Sequence, residues 1–349
     1  MSLEAARARA NEFLAQAKAG ESPVLALERA AIAGSLTVAA LSERFLEDYA
    51  RSRNLRSTHK YQQAIATHIV PHVGHILADA LDREHVRDLM RKVRIRQPRP
   101  HTNKGRARGG VEAARRALGV LRLMVGWAID ERLIERADNP ASGMQRNLPA
   151  KKRGDRVLNL DDACMVWRAA NSGFAFDSFT RLMLLTGCRA GELAQARWSW
   201  VDFAQALLVI PAEHYKCKHV HVVPLVPQAI EIFANIYRGG KGDYILSTTD
   251  GEKPIRGIAK YYEARLRRAI QVQTGTVILP FASHSLRRTV ATRVAESLGI
   301  GGEPLIGRLL GHSQGSHVTA IYNRYTYLKE MRTALEAWAR ELPRDSHAE

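Results

Sequence analysis

Residues 186–193 read T-G-C-R-A-G-E-L and directly follow the apolar run L-M-L-L. An apolar helix that ends at a glycine turn is held by the core of its domain. The side chain that follows the turn, Arg189, can therefore be presented outward in a fixed position. A lysine, Lys216, lies just before the strand-like sequence H-V-H-V-V-P-L. Three more patterns lie downstream: H-S-L-R-R at 284–288, L-G-H at 310–312 and I-Y-N-R-Y at 321–325.

These patterns contain the side chains that chemistry on a phosphodiester requires, and that chemistry needs no metal ion. Two guanidinium groups can bind the non-bridging oxygens of a phosphate, and a phenol can attack the phosphorus once a base has taken its proton. Each pattern alone is weak evidence, because a single H-x-x-R pair usually lies on a helix surface and an arginine at a helix end can simply favour the dipole. The candidate catalytic residues are Arg189, Lys216, His284, Arg287, His312 and Tyr322, with Lys218, Tyr325 and Tyr327 as chemically equivalent rivals.

The composition predicts a globular protein that binds a polyanion. The 349 residues are too many for one ordinary core, and 46% of them are hydrophobic while 25% are charged. The net charge of +17 favours nucleic acid as the partner, ahead of an anionic membrane surface. Neither a long apolar run nor a signal-peptide pattern occurs, so we expect a soluble, intracellular protein without a membrane partner.

The cysteines and histidines give no pattern of metal ligands. Cys164, Cys188 and Cys217 form no C-x-x-C pair, which argues against both a zinc site and a disulfide framework. His219 and His221 lie two apart in a predicted strand, but no third ligand is close in the sequence. We therefore predict neither a metal site nor a cofactor.

The periodicity of apolar residues predicts a mainly α fold with a small antiparallel β-sheet. Thr37 or Ser35 could cap one helix and Asp82 another. The last helix carries an apolar stripe that either packs on its own domain or docks on a neighbouring copy. The predicted strands are 206–211 and 220–225, and the predicted helices are 2–19, 37–51, 57–70, 83–94, 110–131, 133–137, 160–171, 175–187, 227–237, 255–273, 285–298, 303–310 and 327–342.

Two basic segments are candidates for contact with DNA phosphates. Residues 91–108 carry eight Lys or Arg and no acid, and residues 148–156 combine four positive charges with Pro149 and Gly154. The first could also be a solvated loop, but its charge favours phosphate contact, while its lack of aromatics argues against base stacking. The predicted DNA-binding residues are Arg91, Lys92, Arg94, Arg96, Lys104, Arg106, Arg108, Lys151, Lys152 and Arg153.

The patterns taken together resemble those of the tyrosine recombinases of the phage integrase family, of the kind that prophages and genomic islands encode. In that family the tyrosine follows the L-G-H box by nine or ten residues in a Y-x-R context. Tyr322 lies ten residues after His312 in Y-N-R, whereas Tyr325 and Tyr327 lie further on. The other family boxes are T-G-x-R-x-x-E, W-x-x-[VI]-D, H-x-V-P-L after a lysine, H-x-L-R-[RH] and L-G-H, matched by residues 186–192, 198–202, 221–225, 284–288 and 310–312.

The resemblance implies a role for each matched residue. Arg189 and Arg287 would clamp the scissile phosphate, and Tyr322 would form a 3′-phosphotyrosyl bond. His284 would help to take the proton from Tyr322, and His312 would bind the phosphate or assist the same transfer. Lys216 would protonate the leaving 5′-oxygen, and Glu192 would support Arg189.

The resemblance also implies the organisation of the chain and its partners. Residues 1–34 resemble the last helix and exit of an arm-binding domain whose strands are absent, and residues 35–147 resemble a helical, SAM-like core-binding domain. A basic linker at 148–156 would lead to a catalytic domain at 157–349 of the DNA breaking-rejoining type. The expected partner is double-stranded DNA carrying attachment sites. We expect a homotetramer in the synaptic complex and a monomer without DNA. An excision factor and a DNA-bending host protein would be further partners. The expected location is the nucleoid of a bacterial cytoplasm.

Two alternatives remain at this stage. A type IB topoisomerase would use the same side chains as a monomer, although the H-x-L-R-R and L-G-H boxes and the front half favour a recombinase. A non-catalytic DNA-binding protein could keep the same fold, although no expected catalytic position is substituted.

Overall fold

The computed structural model describes residues 3–18, 22, 36–55, 57–95, 109–150, 154–215, 219–238, 240–298, 303–311 and 327–343. The chain divides into two compact units between Lys152 and Arg153. Helices predominate in the described residues and one small antiparallel sheet is present, which confirms the predicted fold class. No helix within these ranges is long and apolar enough to cross a bilayer.

The first unit is built from helices whose starts follow local capping rules. Asp82 accepts hydrogen bonds from the backbone N–H groups of Glu84 and His85, and Thr37 accepts one from Ala40, because the first N–H groups of a helix lack partners within it. The helices are α1 (Leu3–Lys18), α2 (Val38–Arg44), α3 (Thr58–Ala64), α4 (Val70–Val73), α5 (Arg83–Arg94) and α6 (Val111–Asp130), with π-helical turns at Phe45–Arg51 and Ile65–Ile69 and a 3-10 turn at Met144–Asn147.

The helix predicted at 133–137 is wrong, because long-range hydrogen bonds hold that segment in another conformation. The backbone N–H of Glu135 donates to the Asp79 carboxylate at 2.8 Å, and the Arg136 guanidinium donates to the Asp79 carbonyl at 3.1 Å. Ile134 is buried in the core of the unit. Ile134 therefore packs in the core from a non-helical segment that follows α6.

The second unit surrounds a three-stranded antiparallel sheet with helices. The sheet has the order β1-β2-β3 and pairs Leu208 with both Val201 and Val223. The strands predicted at 206–211 and 220–225 are confirmed as β2 and β3, and the two-residue strand β1 is an addition. The elements are α7 (Leu160–Ala169), α8 (Ala175–Thr186), α9 (Ala190–Leu193), β1 (Val201–Asp202), β2 (Leu207–Ile210), β3 (His221–Pro224), α10 (Pro227–Ala234), α11 (Ile258–Tyr261), α12 (Arg267–Thr274), α13 (Ser283–Leu298), α14 (Glu303–Leu309) and α15 (Leu328–Glu341), with a π-helical turn at Tyr262–Leu266 and 3-10 turns at Trp198–Trp200 and Ala212–His214.

The helix α8 forms the centre of this unit. All of its side chains from Asp177 to Thr186 are buried, and it packs against α10, α13 and α15. The final helix α15 packs on its own unit: Trp338 is fully buried and its Nε1 donates to the Leu184 carbonyl at 2.7 Å. That carbonyl belongs to the last turn of α8, where no helical N–H is available, so the final helix helps to fix the end of α8.

Candidate active site

Arg189 is placed by the end of α8 and held by Glu192. The chain leaves α8 through Gly187, whose φ of +61° suits glycine, and a Cβ there would approach Val290 at 3.2 Å. Arg189 then caps α9, where its Nη1 donates to Glu192 Oε1 at 2.9 Å and its backbone N–H donates to Oε2 at 3.2 Å. Glu192 is buried, so its two hydrogen bonds hold the Arg189 side chain and backbone in a fixed orientation.

Arg287 is held from α13 by main-chain oxygens. Its guanidinium is buried, with Nη1 2.7 Å from the Gly187 carbonyl and Nη2 2.5 Å from the Leu310 carbonyl. Both acceptors are neutral, and within the described residues no carboxylate forms an ion pair with Arg287. Its positive charge therefore stays uncompensated by direct contact, which is favourable for an incoming anion.

The backbone carbonyls of the turn at Leu309–Gly311 accept hydrogen bonds from side chains in several parts of the second unit. Arg189 Nη2 donates to the Gly311 carbonyl at 3.1 Å, and the Tyr215 hydroxyl donates to the same oxygen. The His221 Nε2 lies 3.2 Å from the Leu309 carbonyl. Consecutive carbonyls at the end of α14 thus bind two candidate catalytic arginines and two buried rings, and the next residue in the chain is His312.

The electrostatics of the site keep His284 neutral. Its partial burial, followed by the nearby cations of Arg288, Arg287 and Arg189, lowers the pKa of His284 below its ordinary value. Burial and the Arg189 cation also lower the pKa of Arg287, which nevertheless remains charged. Burial alone would lower the pKa of Arg189 as well, but the Glu192 carboxylate raises it. The described part of the site therefore offers two fixed cations beside an exposed imidazole that can accept a proton.

Comparison with known proteins identifies the domain that contains this site. The model of the phage integrase family matches residues 157–329. Residues 157–329 therefore form a domain of the phage integrase family. Prophage integrase IntZ of Escherichia coli (strain K12) is 26% identical over 217 residues, which are 61% of this chain and 51% of IntZ. The integrase of Enterobacteria phage P4 is 27% identical over 317 residues, which are 86% of this chain and 66% of the phage protein.

The fold is also that of solved integrases. A lambda integrase tetramer bound to a Holliday junction has a TM-score of 0.57 at 18% identity, over 84% of this chain and 82% of that one. At this identity the likeness is one of fold. The chain spans between 40% and 66% of the length of the curated relatives that it matches.

Several predicted site residues lie outside the described residues. They are Lys216, its rival Lys218, His312, Tyr322 and Tyr325, and, among the predicted DNA contacts, Arg96, Lys104, Arg106, Arg108, Lys151, Lys152 and Arg153. Their chain neighbours are described: Tyr215 and His219 flank the lysines, and Gly311 and Tyr327 flank the segment that contains His312 and Tyr322. Arg91, Lys92 and Arg94 lie at the end of α5, where the side chain of Arg91 is 72% exposed and 3.0 Å from Asp88.

Tyr327, a rival nucleophile, is engaged in structural contacts. It precedes α15 with a φ of +55°, packs against the core, and its ring lies 4.9 Å from the Arg308 guanidinium. A tyrosine fixed in this way at the start of a helix is poorly suited to attack a phosphate. The contacts of Tyr327 therefore argue against it as the nucleophile and leave Tyr322 and Tyr325 as candidates. The spacing from His312 favours Tyr322.

Sequence reasoning missed two residues of the site. Tyr215 received no role, and His221 was recognised only as part of the H-x-V-P-L box and as an incomplete metal ligand. The structure buries both, whereas His219 is exposed. The one available signal was position: Tyr215 directly precedes Lys216, and His221 alternates with Val222 to face the core from β3.

Proposed function

We propose that this protein is a site-specific tyrosine recombinase, an integrase that cuts and rejoins DNA strands to integrate or excise a mobile element. The observation that carries the proposal is the convergence of Arg189 and Arg287 on the turn that leads directly into His312. The family match supports it, because it extends through Tyr322. The relatives named prophage and phage integrases support it further.

In the proposed reaction, the residues act on one phosphate of the DNA backbone. Tyr322 Oη attacks the phosphorus while His284, neutral near pH 7, helps to accept the phenolic proton. Arg189 and Arg287 stabilise the charge on the non-bridging oxygens, assisted by His312. As the Oη–P bond forms, the P–O5′ bond breaks, and Lys216 donates a proton to the leaving oxygen. The phosphotyrosyl bond keeps the energy of the ester, so a 5′-hydroxyl from another strand can reverse the step.

The substrate of this proposal is double-stranded DNA, bound through its phosphates. The net charge of +17 and the basic residues at 91–108 and 151–153 favour such binding. The lambda integrase in the comparison structure is a tetramer on a Holliday junction, which supports a synaptic tetramer for this chain. Each protomer would then cut one strand. We propose that the recombination takes place on DNA in the bacterial cytoplasm. An excision factor and a DNA-bending protein would be its additional partners.

Trapping of the covalent intermediate tests the proposal. Nicked duplexes that tile the DNA on both sides of the gene are incubated with the protein, so that the short 5′-hydroxyl fragment released by cleavage diffuses away. A protein–DNA adduct that survives denaturation is expected on a subset of the duplexes. The adduct should be lost in Tyr322→Phe and kept in the matched variants Tyr325→Phe and Tyr327→Phe.

The same assay separates the alternatives. Absence of an adduct on every duplex would contradict catalysis and favour a DNA-binding protein that keeps the fold. An adduct on all duplexes alike, with relaxation of supercoiled plasmid by the monomer, would favour a topoisomerase.

A further inference from the structure

The buried rings of Tyr215 and His221 connect the β2–β3 hairpin to the turn at Leu309–Gly311. In the sequence, Lys216 lies between the two strands of this hairpin and His312 directly follows the turn. We propose that Tyr215 and His221 are positioning residues that hold the general acid Lys216 opposite the phosphate clamped by Arg189 and Arg287. The proposal rests on the proposed function and deepens it. It concerns residues that bind no substrate themselves and act through the backbone of the hairpin.

Tyr215 connects three parts of the site. Its side chain is fully buried, and its hydroxyl donates to the Gly311 carbonyl, with the Leu310 carbonyl at 3.4 Å. The Arg189 guanidinium lies 4.9 Å from the centre of its ring, within the range of a cation–π contact. Tyr215 thus fixes the start of the lysine segment against both the arginine clamp and the turn before His312.

His221 fixes the other side of the same segment. It is 4% exposed, and its Nε2 lies 3.2 Å from the Leu309 carbonyl, so Nε2 carries the proton and donates. Its Nδ1 is buried and has no hydrogen-bond partner among the residues that the structure describes. Leaving a buried acceptor unpaired costs free energy, and the ring keeps this position despite that cost. The rings of His221 and Tyr215 lie 4.8 Å apart between centres, so the two support each other.

The two rings contact the same turn and flank Lys216 in the sequence. Tyr215 and His221 are bound to carbonyls of a single three-residue turn, and only five residues separate them in the chain. In the sequence, Lys216 directly follows Tyr215. A side chain whose chain neighbours are already fixed loses less conformational entropy when it is placed at a phosphate. Loss of either ring contact should therefore impair proton donation by Lys216 more than phosphate binding by the arginines.

A duplex with sulfur in place of the bridging 5′-oxygen distinguishes this role from general support of the fold. Its leaving group is a thiolate, and thiols have a pKa of about 8.5, far below that of an alcohol, so the leaving group needs no donated proton. Tyr322 still forms the Oη–P bond, and the P–S bond breaks instead of the P–O bond. A variant that only misplaces the general acid is therefore rescued by sulfur, whereas a variant with a damaged arginine clamp is not.

The experiment measures single-turnover adduct formation by the full chain on the cleaved duplex, in its oxygen and sulfur forms. Tyr215→Phe should slow the oxygen duplex roughly 10- to 100-fold, as expected for a misplaced general acid, and the sulfur duplex less than about threefold. Lys216→Ala should show the same pattern, and Arg287→Lys should slow both duplexes. Tyr237→Phe, a change at a 79% exposed ring, should match the wild type. His221→Leu should behave like Tyr215→Phe, while His221→Gln, which keeps a donor for the Leu309 carbonyl, should recover most of the rate.

Three results would overturn the positioning role. They are equal slowing of both duplexes by Tyr215→Phe, a wild-type rate for Tyr215→Phe on the oxygen duplex, and no rescue of Lys216→Ala by sulfur. Thermal melting of each variant shows whether it is folded, and the ratio of the two rates remains informative for a partly destabilised variant. Failure of the proposed function looks different, because the wild type would then form no adduct on either duplex.

Discussion

Replacement of Gly311 by alanine is the most direct test of the packing at the candidate site. Gly311 has a φ of +56°, in the left-handed region that favours glycine. A Cβ at this position would overlap the Tyr215 hydroxyl and lie 2.7 Å from its Cζ and 3.0 Å from His221 Nε2. Neither ring can move aside easily, because both are buried and packed against each other. The substitution therefore combines backbone strain with a steric clash.

The expected loss of stability follows from these two terms. The left-handed conformation costs an alanine about 1–2 kcal/mol, and an extra methyl in a packed site costs about 1–3 kcal/mol. We expect the free energy of unfolding of the second unit to fall by about 2–5 kcal/mol. For a unit of this size that corresponds to a decrease in Tm of roughly 4–20 °C.

Tryptophan fluorescence during thermal unfolding measures this change in the full chain. It reports mainly on the second unit, which contains Trp167, Trp198, Trp200 and Trp338, whereas Trp127 alone lies in the first. Gly307→Ala is the matched control: Gly307 lies in α14, and a Cβ there would meet nothing within 4 Å. Alanine should leave that site unchanged or stabilise it by up to about 1 kcal/mol. If Gly311→Ala melts together with Gly307→Ala, the placement of Tyr215 over this turn is wrong.

Three further predictions concern the tail helix, the pH dependence and metal ions. Trp338→Phe should lower the free energy of unfolding in urea by about 1–3 kcal/mol, because the buried Leu184 carbonyl loses its donor; an unchanged unfolding midpoint would show that the helix end does not need this bond. Burial lowers the pKa of His221 to about 4 from about 6.5 in the unfolded chain, so its contribution to stability is fully present above about pH 6.5 and is lost as the pH falls toward 4. That loss is on the order of 3 kcal/mol, and a pH series of urea melts should become flatter in His221→Gln; equal slopes for the two proteins would contradict it. EDTA should leave the rate of adduct formation unchanged, because the proposed step uses side chains alone, and a rate restored only by added Mg²⁺ would refute that step.

The elements that the sequence predicted well are those whose ends are fixed locally. Helix α5 begins at Arg83 and ends at Arg94 as predicted, because Asp82 binds N–H groups only two and three residues away. The segment at 133–137 was mispredicted because its conformation depends on Asp79, more than fifty residues earlier in the chain. The strand Val201–Asp202 was missed for a similar reason, since two residues carry no alternation and exist as a strand only through pairing with β2.

In the candidate site, too, the features set by local sequence were predictable and those set by long-range contacts were not. Arg189 and Arg287 were predictable, since each lies in a local box that places it beside a glycine turn or on a helix. Their common contact with the Leu310–Gly311 turn was not predictable, because the acceptors are backbone carbonyls, which every residue carries. Tyr215 and His221 were overlooked because their value depends on the same carbonyls. Sequence patterns report which side chains are available, whereas the oxygens that orient those side chains become visible only in the fold.

The choice of acceptors also explains how the site can hold its arginines without cancelling their charge. A carboxylate on each guanidinium would orient it equally well but would neutralise the field that a phosphate must find. In the described part of the chain, the Glu192 carboxylate pairs with Arg189, and the hydrogen bonds of the Arg287 guanidinium go to two neutral carbonyls. The cost is a buried cation whose charged form is disfavoured, as its lowered pKa indicates. The buried charge raises the free energy of the unliganded site relative to that of the site with a bound phosphate. Binding of the phosphate can therefore release free energy that lowers the barrier of the proposed reaction. Because Tyr215 and His221 contact the same turn, a displacement of Leu310 or Gly311 would disturb the two proposed phosphate-binding arginines and both of these rings together.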